Sequence, residues 1–290
     1  MAYRNITMTI RLRKALIVYC SPAGSTGHVA ALMKQKIESS QTPVTCVDLG
    51  EDPDVEFLIP QLVDAKDNIC MYIGSPVYAS HALAPVMTFI AHLPTARNGY
   101  AVPFVTWGGV TSGVALYEMG EALEKKGYAI LGAAKVLARH SLMWAAANPL
   151  AEGRPDAADD ALVEQLMKKV LQKLASGSPE KLPVSRLAYQ KEPLHAEMQK
   201  KTFESAKAQL PLKEIHEDRC TRCGVCADVC PVEAVTLSLL PIFGSECICC
   251  YRCVRACPEK ALTADLSPVF DRLRNMAVQY NERPPTQIFF

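Results

Sequence analysis

Residues 220–231 read CTRCGVCADVCP, and residues 247–258 read CICCYRCVRACP. Both stretches are C-x2-C-x2-C-x3-C-P, and they lie 27 positions apart. The same offset superposes Ala234 on Ala261 and Thr236 on Thr263, so the segment is a duplicated unit. Spacers of two residues let a short chain wrap one iron-sulfur cubane with three thiolates. The fourth cysteine, followed by Pro, ligates the other centre. This predicts two [4Fe-4S] clusters, one on Cys220, Cys223, Cys226 and Cys257 and the other on Cys247, Cys250, Cys253 and Cys230. Few apolar residues lie within the unit, so metal ligation has to supply its folding free energy.

Two other uses of cysteine fit less well. Structural zinc sites use separated C-x2-C pairs, whereas each run here adds a third and a fourth cysteine at once. A disulfide framework belongs to small secreted chains, and Arg4, Arg11, Arg13 and Lys14 precede only a short apolar stretch rather than a signal peptide. Cys249 reads as a non-ligand thiol; the sharper reading is an alternative ligand or an oxidation-sensitive neighbour of Cys250. Cys20, Cys46 and Cys70 stand alone in apolar runs and read as core residues.

A length of 290 residues accommodates about two domains, and 49% hydrophobic residues provide ample core for one of them. A net charge of +1 with interspersed charges gives no reason to expect nucleic acid. No apolar run approaches the ~20 residues of a membrane span, so the expectation is a soluble, cytoplasmic chain.

Upstream of the cysteines, apolar strand candidates alternate with helical ones. The strands are Ala15–Tyr19, Val44–Leu49, Asn68–Gly74, Ala101–Thr106 and Tyr128–Val136. The helices are His28–Ser39, Phe57–Asp64, Leu83–His92 and Ala115–Lys126. This alternation predicts an α/β, doubly wound, mostly parallel sheet with ligands outside the carboxyl ends of its strands. Three of those ends, 21–27, 75–80 and 107–113, concentrate small, polar and aromatic residues and define one expected cleft. A helix is expected over Asp156–Ala175, with Pro155 in its first turn and Leu162, Leu166, Lys169 and Val170 at helical spacing. A loop around Trp144 is expected to cross the cleft rim. Ser176-Gly177-Ser178-Pro179 marks a boundary, a helix over Leu194–Leu210 joins the two parts, and another follows over Pro268–Tyr280. The tail Ile288-Phe289-Phe290 either pins to a surface groove or frays. The resulting division is 1–176, a linker over 177–215, the cluster unit over 216–265 and an extension over 266–290.

The first turn lacks G-x-G-x-x-G, and it lacks a Lys after Gly27, where His28 stands, which disfavours dinucleotide and ATP-hydrolysing loops. What remains is a hydroxyl-lined turn at a helix N-terminus, suited to a terminal phosphate through Ser21, Ser25, Thr26 and the backbone at Gly24.

The run S-P-A-G-S-T-G (21–27) resembles the phosphate loop of flavodoxins, S/T-x-T-G-x-T. Ser21, Gly24 and Thr26 match, and Ala23 departs by losing a hydroxyl. The resemblance implies FMN, with Ser75, Pro76, Val77 and Tyr78 on one side of the isoalloxazine ring and Trp107, Gly108 and Gly109 on the other. The whole order, a flavodoxin-like domain followed by a linker and a bacterial-type 2[4Fe-4S] α+β ferredoxin domain, resembles the family of fused flavodoxin-ferredoxin proteins, the EFR-type ferredoxins. That family implies intracellular electron transfer between protein partners: another ferredoxin, a flavoprotein or a larger redox enzyme. No residue is singled out as catalytic. The alternatives are a flavin-dependent reductase of a small substrate or metal cofactor, and a redox-sensing or partner-binding iron-sulfur protein whose first domain is empty.

Overall fold

The computed structural model describes residues 14–51, 54–63 and 69–290. Its elements run β1 (Lys14–Tyr19), α1 (Ser25–Ser39), β2 (Val44–Asp48), α2 (Val55–Leu62), β3 (Ile69–Tyr78), β4 (His81–Ala82), α3 (Ala84–His92), β5 (Gly99–Trp107), α4 (Ala115–Lys125), β6 (Tyr128–Ile130), β7 (Ala133–Leu137) and α5 (Ala157–Ala175). After these come α6 (Leu194–Gln199), α7 (Phe203–Lys207), β8 (Glu214–Ile215), α8 (Val225–Asp228), β9 (Val235–Leu237), β10 (Pro241–Phe243), α9 (Arg252–Ala256), β11 (Leu262–Thr263), α10 (Ser267–Tyr280) and β12 (Gln287–Phe289).

The main sheet has the order β2-β1-β3-β5-β7-β12. Its first five strands are parallel, in the 2-1-3-4-5 order of a flavodoxin-like doubly wound sheet. Strands buried on both faces read as continuous apolar runs. Accordingly Leu16, Val18, Met71 and Ile73 pack against α3 and α4, while Ile17, Tyr72, Val102 and Phe104 pack against α1 and α5. Helix α5 starts where Asp156 caps it in a reciprocal box with Asp159. Pro155 therefore precedes the cap instead of entering the first turn. The inward face of α5 is Val163, Leu166, Met167, Val170 and Leu174, and Lys169 is exposed.

Several boundaries differ from the sequence expectation. Strand β3 runs on through Ser75–Tyr78, because β5 pairs it as far as Pro76 opposite Thr106 and β4 pairs Val77 and Tyr78 beyond. The expected fifth strand is two strands on β5, interrupted at Leu131-Gly132, where a β-carbon on Gly132 would come within 2.8 Å of Leu166. The linker helix breaks into α6 and α7, the second capped by the Thr202 hydroxyl. Cys20 and Cys70 are buried, but Cys46 is exposed because β2 is an edge strand with one open flank. Asn68, Asp64 and the basic residues before Lys14 lie outside the described residues.

The tail does not fray. β12 adds antiparallel to β7 as the far edge of the main sheet. Lys135 on β7, fully buried, meets Glu282 at 2.5 Å, and that carboxylate also accepts from the Ser112 backbone N–H at 2.8 Å and from Gln190 Nε2 at 2.9 Å. Burial lowers the Lys135 pKa against the pull of Glu282. Burial also opposes ionisation of Glu282, but Lys135 and Ser112 outweigh it and hold the carboxyl below its usual range.

The smaller unit preserves the sequence repeat in its backbone. The 27-residue offset carries β8 onto β10, α8 onto α9 and β9 onto β11. It also carries the left-handed residues Arg222, Gly224 and Glu233 onto Cys249, Tyr251 and Lys260. Pairing is reciprocal: β8 with β11 and β9 with β10, so each half completes the other.

Candidate functional site

A cavity of about 320 Å³ opens at the carboxyl edge of the main sheet, within the ~300–1,000 Å³ typical of ligand sites. The ends of β1, β3, β5 and β7 supply one side, including Ala23, Ser25, Thr26, Pro76, Val77, Tyr78, Trp107 and Gly108. Ser21 and Ser75 are buried behind that surface, and Gly24 and Gly109 adjoin it without lining it. The Ser21 hydroxyl accepts from Gly27 N–H at 2.9 Å, and Ser75 Oγ accepts from Leu83 N–H at 2.8 Å while donating to the Pro76 carbonyl. Thr26 shares a 2.8 Å hydrogen bond with Thr106. Two of the three loop hydroxyls thus hold the loop in shape, and Ser25 alone is left to meet a ligand.

The residues present fit a phosphorylated aromatic cofactor. The first N–H groups of a helix have no intrahelical acceptor. Gly27 uses Ser21, which leaves the Ser25 and Thr26 amides at the cavity wall. Gly24 holds φ +92°, with nothing within 4 Å of where a β-carbon would stand, so the loop is open above it. Tyr78 lines the cavity with a buried hydroxyl that makes no hydrogen bond of ordinary geometry among the described residues, and burial, only partly offset by the Ser141 side chain beside it, raises its pKa far beyond the usual phenol range. Trp107 is only 3% exposed and donates its indole N–H to the Pro285 carbonyl at 2.8 Å, so the tail fixes its edge.

The opposite side of the cavity was not legible as a site. It comprises the linker from Lys201 to Leu210, the turn Ile248-Cys249 and the α10 residues Val269, Arg272, Leu273 and Met276. The Trp144 loop does cross the rim: Ala138–Leu142 line the cavity, and Trp144 packs on Tyr251 with ring centroids 5.8 Å apart. Of the histidines near the cleft, His28 is engaged by Asp160 and His81 by Glu118 and the Lys201 carbonyl. His140 lines the cavity, and burial lowers its pKa to about 4, so it is neutral at ordinary pH.

Among the described residues no three His, Cys, Asp or Glu side chains converge on a point that one ion could occupy. A cubane does not require such a point, because each thiolate binds a different iron. Cys220, Cys223, Cys226 and Cys257 line one small cavity of about 20 Å³, closed by Leu237 and Pro241. These are the four cysteines that the spacing groups together. In the other half the thiols that act electrostatically on Cys250 are Cys247 and Cys230, and those acting on Cys253 are Cys250 and Cys247. Lys213 donates to Cys247 Sγ at 3.2 Å and Ala234 N–H to Cys230 Sγ at 3.2 Å, contacts that favour thiolates. The donor sets are all sulfur and suit iron-sulfur ligation. Cys249 donates weakly to the Cys247 carbonyl at 3.9 Å and lines the large cavity.

The two sites are neighbours. Arg255 on α9 donates to the Pro22 carbonyl in the first loop at 2.9 Å, and Pro231 would meet a β-carbon on Gly50 at 3.0 Å. The Cys230/Cys247/Cys250/Cys253 set therefore lies against the cavity. Of the Cys220/Cys223/Cys226/Cys257 set, Cys223 is exposed and Cys226 buried, and none lines the large cavity.

Residues 213–236 match the 4Fe-4S binding domain family. No curated protein matches the chain. The chain is similar to rubredoxin oxygen:oxidoreductase from the anaerobe Desulfovibrio gigas, at 17% identity over 58% of this chain and 38% of that one, with a TM-score of 0.45. It thus spans well under half of that protein's length. It is also similar to a flavodoxin from the domain Archaea, at 19% identity over 56% of this chain and 98% of that one, with a TM-score of 0.41. A third is flavodoxin 2 from Bacillus cereus, at 17% identity over 55% and 99%, also with a TM-score of 0.41. Among the described residues no helix is long and apolar enough to cross a membrane.

Proposed function

We propose that this chain transfers electrons between a protein partner and FMN held in the large cavity, by way of two [4Fe-4S] clusters. The observation that carries the reading is the shared wall: Ile248 and Cys249, inside the second cysteine run, line the same cavity as the loop at Ala23–Thr26. Cys223, which is exposed, and the rest of its set receive or deliver single electrons at the surface. Cys230, Cys247, Cys250 and Cys253 hold the inner relay. Ser25 and Thr26 amides bind the phosphate, Tyr78 and Trp107 orient the ring, and α7 with α10 exclude water from it. Bound flavin supplies the ability to exchange electrons singly or in pairs, which clusters lack.

Anaerobic purification with iron, sulfide and flavin quantitation tests the reading. About eight irons and about one FMN per chain are expected from two cubanes and one flavin site. Cys223→Ser should lose the outer cluster and slow flavin reduction by a protein donor, and Cys249→Ser should keep both clusters. A fully metallated chain that carries no flavin and refuses added FMN would instead be a redox-sensing or partner-binding protein with an empty first domain. A second reading, reduction of a small substrate or metal cofactor at the flavin, draws on the cover formed by α7 and α10, which limits what can reach the cavity. Sustained turnover with a small acceptor would favour it.

A further inference from the structure

The cavity wall carries charge of one sign. Its cations are Arg139, Lys201 and Arg272, and neither Asp nor Glu is among its lining residues. His140, the remaining basic group there, is neutral. Among the described residues none of the three cations is in an ion pair. Arg139 donates to the Trp144 carbonyl at 3.0 Å, Lys201 to the Tyr280 hydroxyl at 2.6 Å and Arg272 to Gln209 Oε1 at 2.6 Å. No carboxylate among the described residues therefore offsets any of the three at the cavity. The neighbouring thiolates carry negative charge of their own, and a cluster's charge cannot be left out of the balance. That charge has separate local partners, since Lys213 bonds Cys247 and Arg255 acts on Cys250.

We infer that Arg139, Lys201 and Arg272 tune the cavity to bind reduced flavin more tightly than oxidised flavin, which raises the potential of bound flavin above that of free flavin. This rests on FMN as the occupant. Oxidised isoalloxazine is neutral, and two electrons with one proton leave it with a net charge of −1. The two electrons come one at a time from two reduced clusters, each of which returns to its oxidised state, and the proton comes from solvent. The phosphate is present in both states, so its contribution cancels. What differs is the ring's added negative charge, in a partly desolvated cavity whose fixed charges are positive. Tighter binding of one redox state shifts the equilibrium toward that state by the same factor.

Lys201 and Arg272 come from the linker and from α10, outside the parallel sheet. The segments that join the cluster unit to the sheet thus also contribute to the redox preference of the cavity.

The test is the dissociation constant of FMN, oxidised and reduced, for the cluster-loaded full chain under anaerobic conditions. Reduced FMN should bind about tenfold tighter or better. Arg272→Gln and Lys201→Gln should each shrink that ratio about threefold, with iron content unchanged. Arg272→Lys, which retains charge, should keep the ratio even where the bond to Gln209 is lost. Equal or weaker binding of reduced FMN overturns the inference, and so does a ratio that the Gln variants leave unmoved. Failure of both redox states to bind, with iron intact, is a separate result: it removes FMN as the occupant and this inference with it.

Discussion

Tyr78 brings a hydroxyl to the cavity wall, where it makes no hydrogen bond of ordinary geometry among the described residues and has only the Ser141 side chain beside it. A buried unpaired hydroxyl costs about 1–3 kcal/mol. Tyr78→Phe should therefore leave the flavin-free protein as stable or more stable, while FMN affinity falls about fivefold to tenfold if the hydroxyl completes its bond on the cofactor. Denaturant melts with and without FMN separate the two effects. His81 makes a contrasting case. The Glu118 carboxylate raises its pKa above the ordinary 6.5, with the Lys201 carbonyl adding to this against partial burial. A raised folded-state pKa contributes stability that is complete below 6.5 and is lost as pH rises through the folded value. The drop in Tm caused by His81→Gln should accordingly be larger at about pH 5.5 than at about pH 9; equal drops would mean that the imidazole titrates alike in both states.

At the level of elements, β12 and the segment before it matter more than their length implies. Glu282 neutralises a fully buried lysine and also accepts from Ser112 and Gln190, tying the tail to the loop after β5 and to the linker. Breaking a buried pair from one side costs about 3–5 kcal/mol, so Glu282→Ala should destabilise by that order in urea melts. The double variant Lys135→Met with Glu282→Leu should regain part of the loss, because the stranded charge is gone. It should not regain all of it, because the Ser112 amide and Gln190 are still left without an acceptor. The break between α6 and α7 is equally consequential, since it turns Phe203 and Leu210 onto the cavity instead of continuing one straight helix past it.

Across the whole molecule, sheet and cluster unit share a wall, so with FMN as the proposed occupant, loss of iron should be felt in the cavity. Ligand-dependent folding of the duplicated unit predicts that anaerobic removal of iron disorders the Ile248-Cys249 turn and weakens FMN binding about tenfold or more. Titration of FMN into the iron-free chain reads this directly. Unchanged affinity would show that the sheet holds the cofactor without help from the cluster unit.

The cysteine spacing alone grouped Cys220, Cys223, Cys226 and Cys257, which line one small cavity, because thiolates on a short chain leave few geometries; the 27-residue offset carries β8 onto β10 and β9 onto β11, but that β8 pairs with β11 and β9 with β10 came from the structure. The alternation of apolar runs likewise predicted the parallel sheet, because strands buried on both faces can bear little else. Chain order could not reveal the cover of the cavity. Lys201, Arg272 and Cys249 are separated by tens of residues from the loops they face, and no local periodicity encodes a contact of that span. Only tertiary packing decided that the tail would close the sheet, that Trp107 would be pinned by Pro285 and that the inner cysteine set would lie against the first loop.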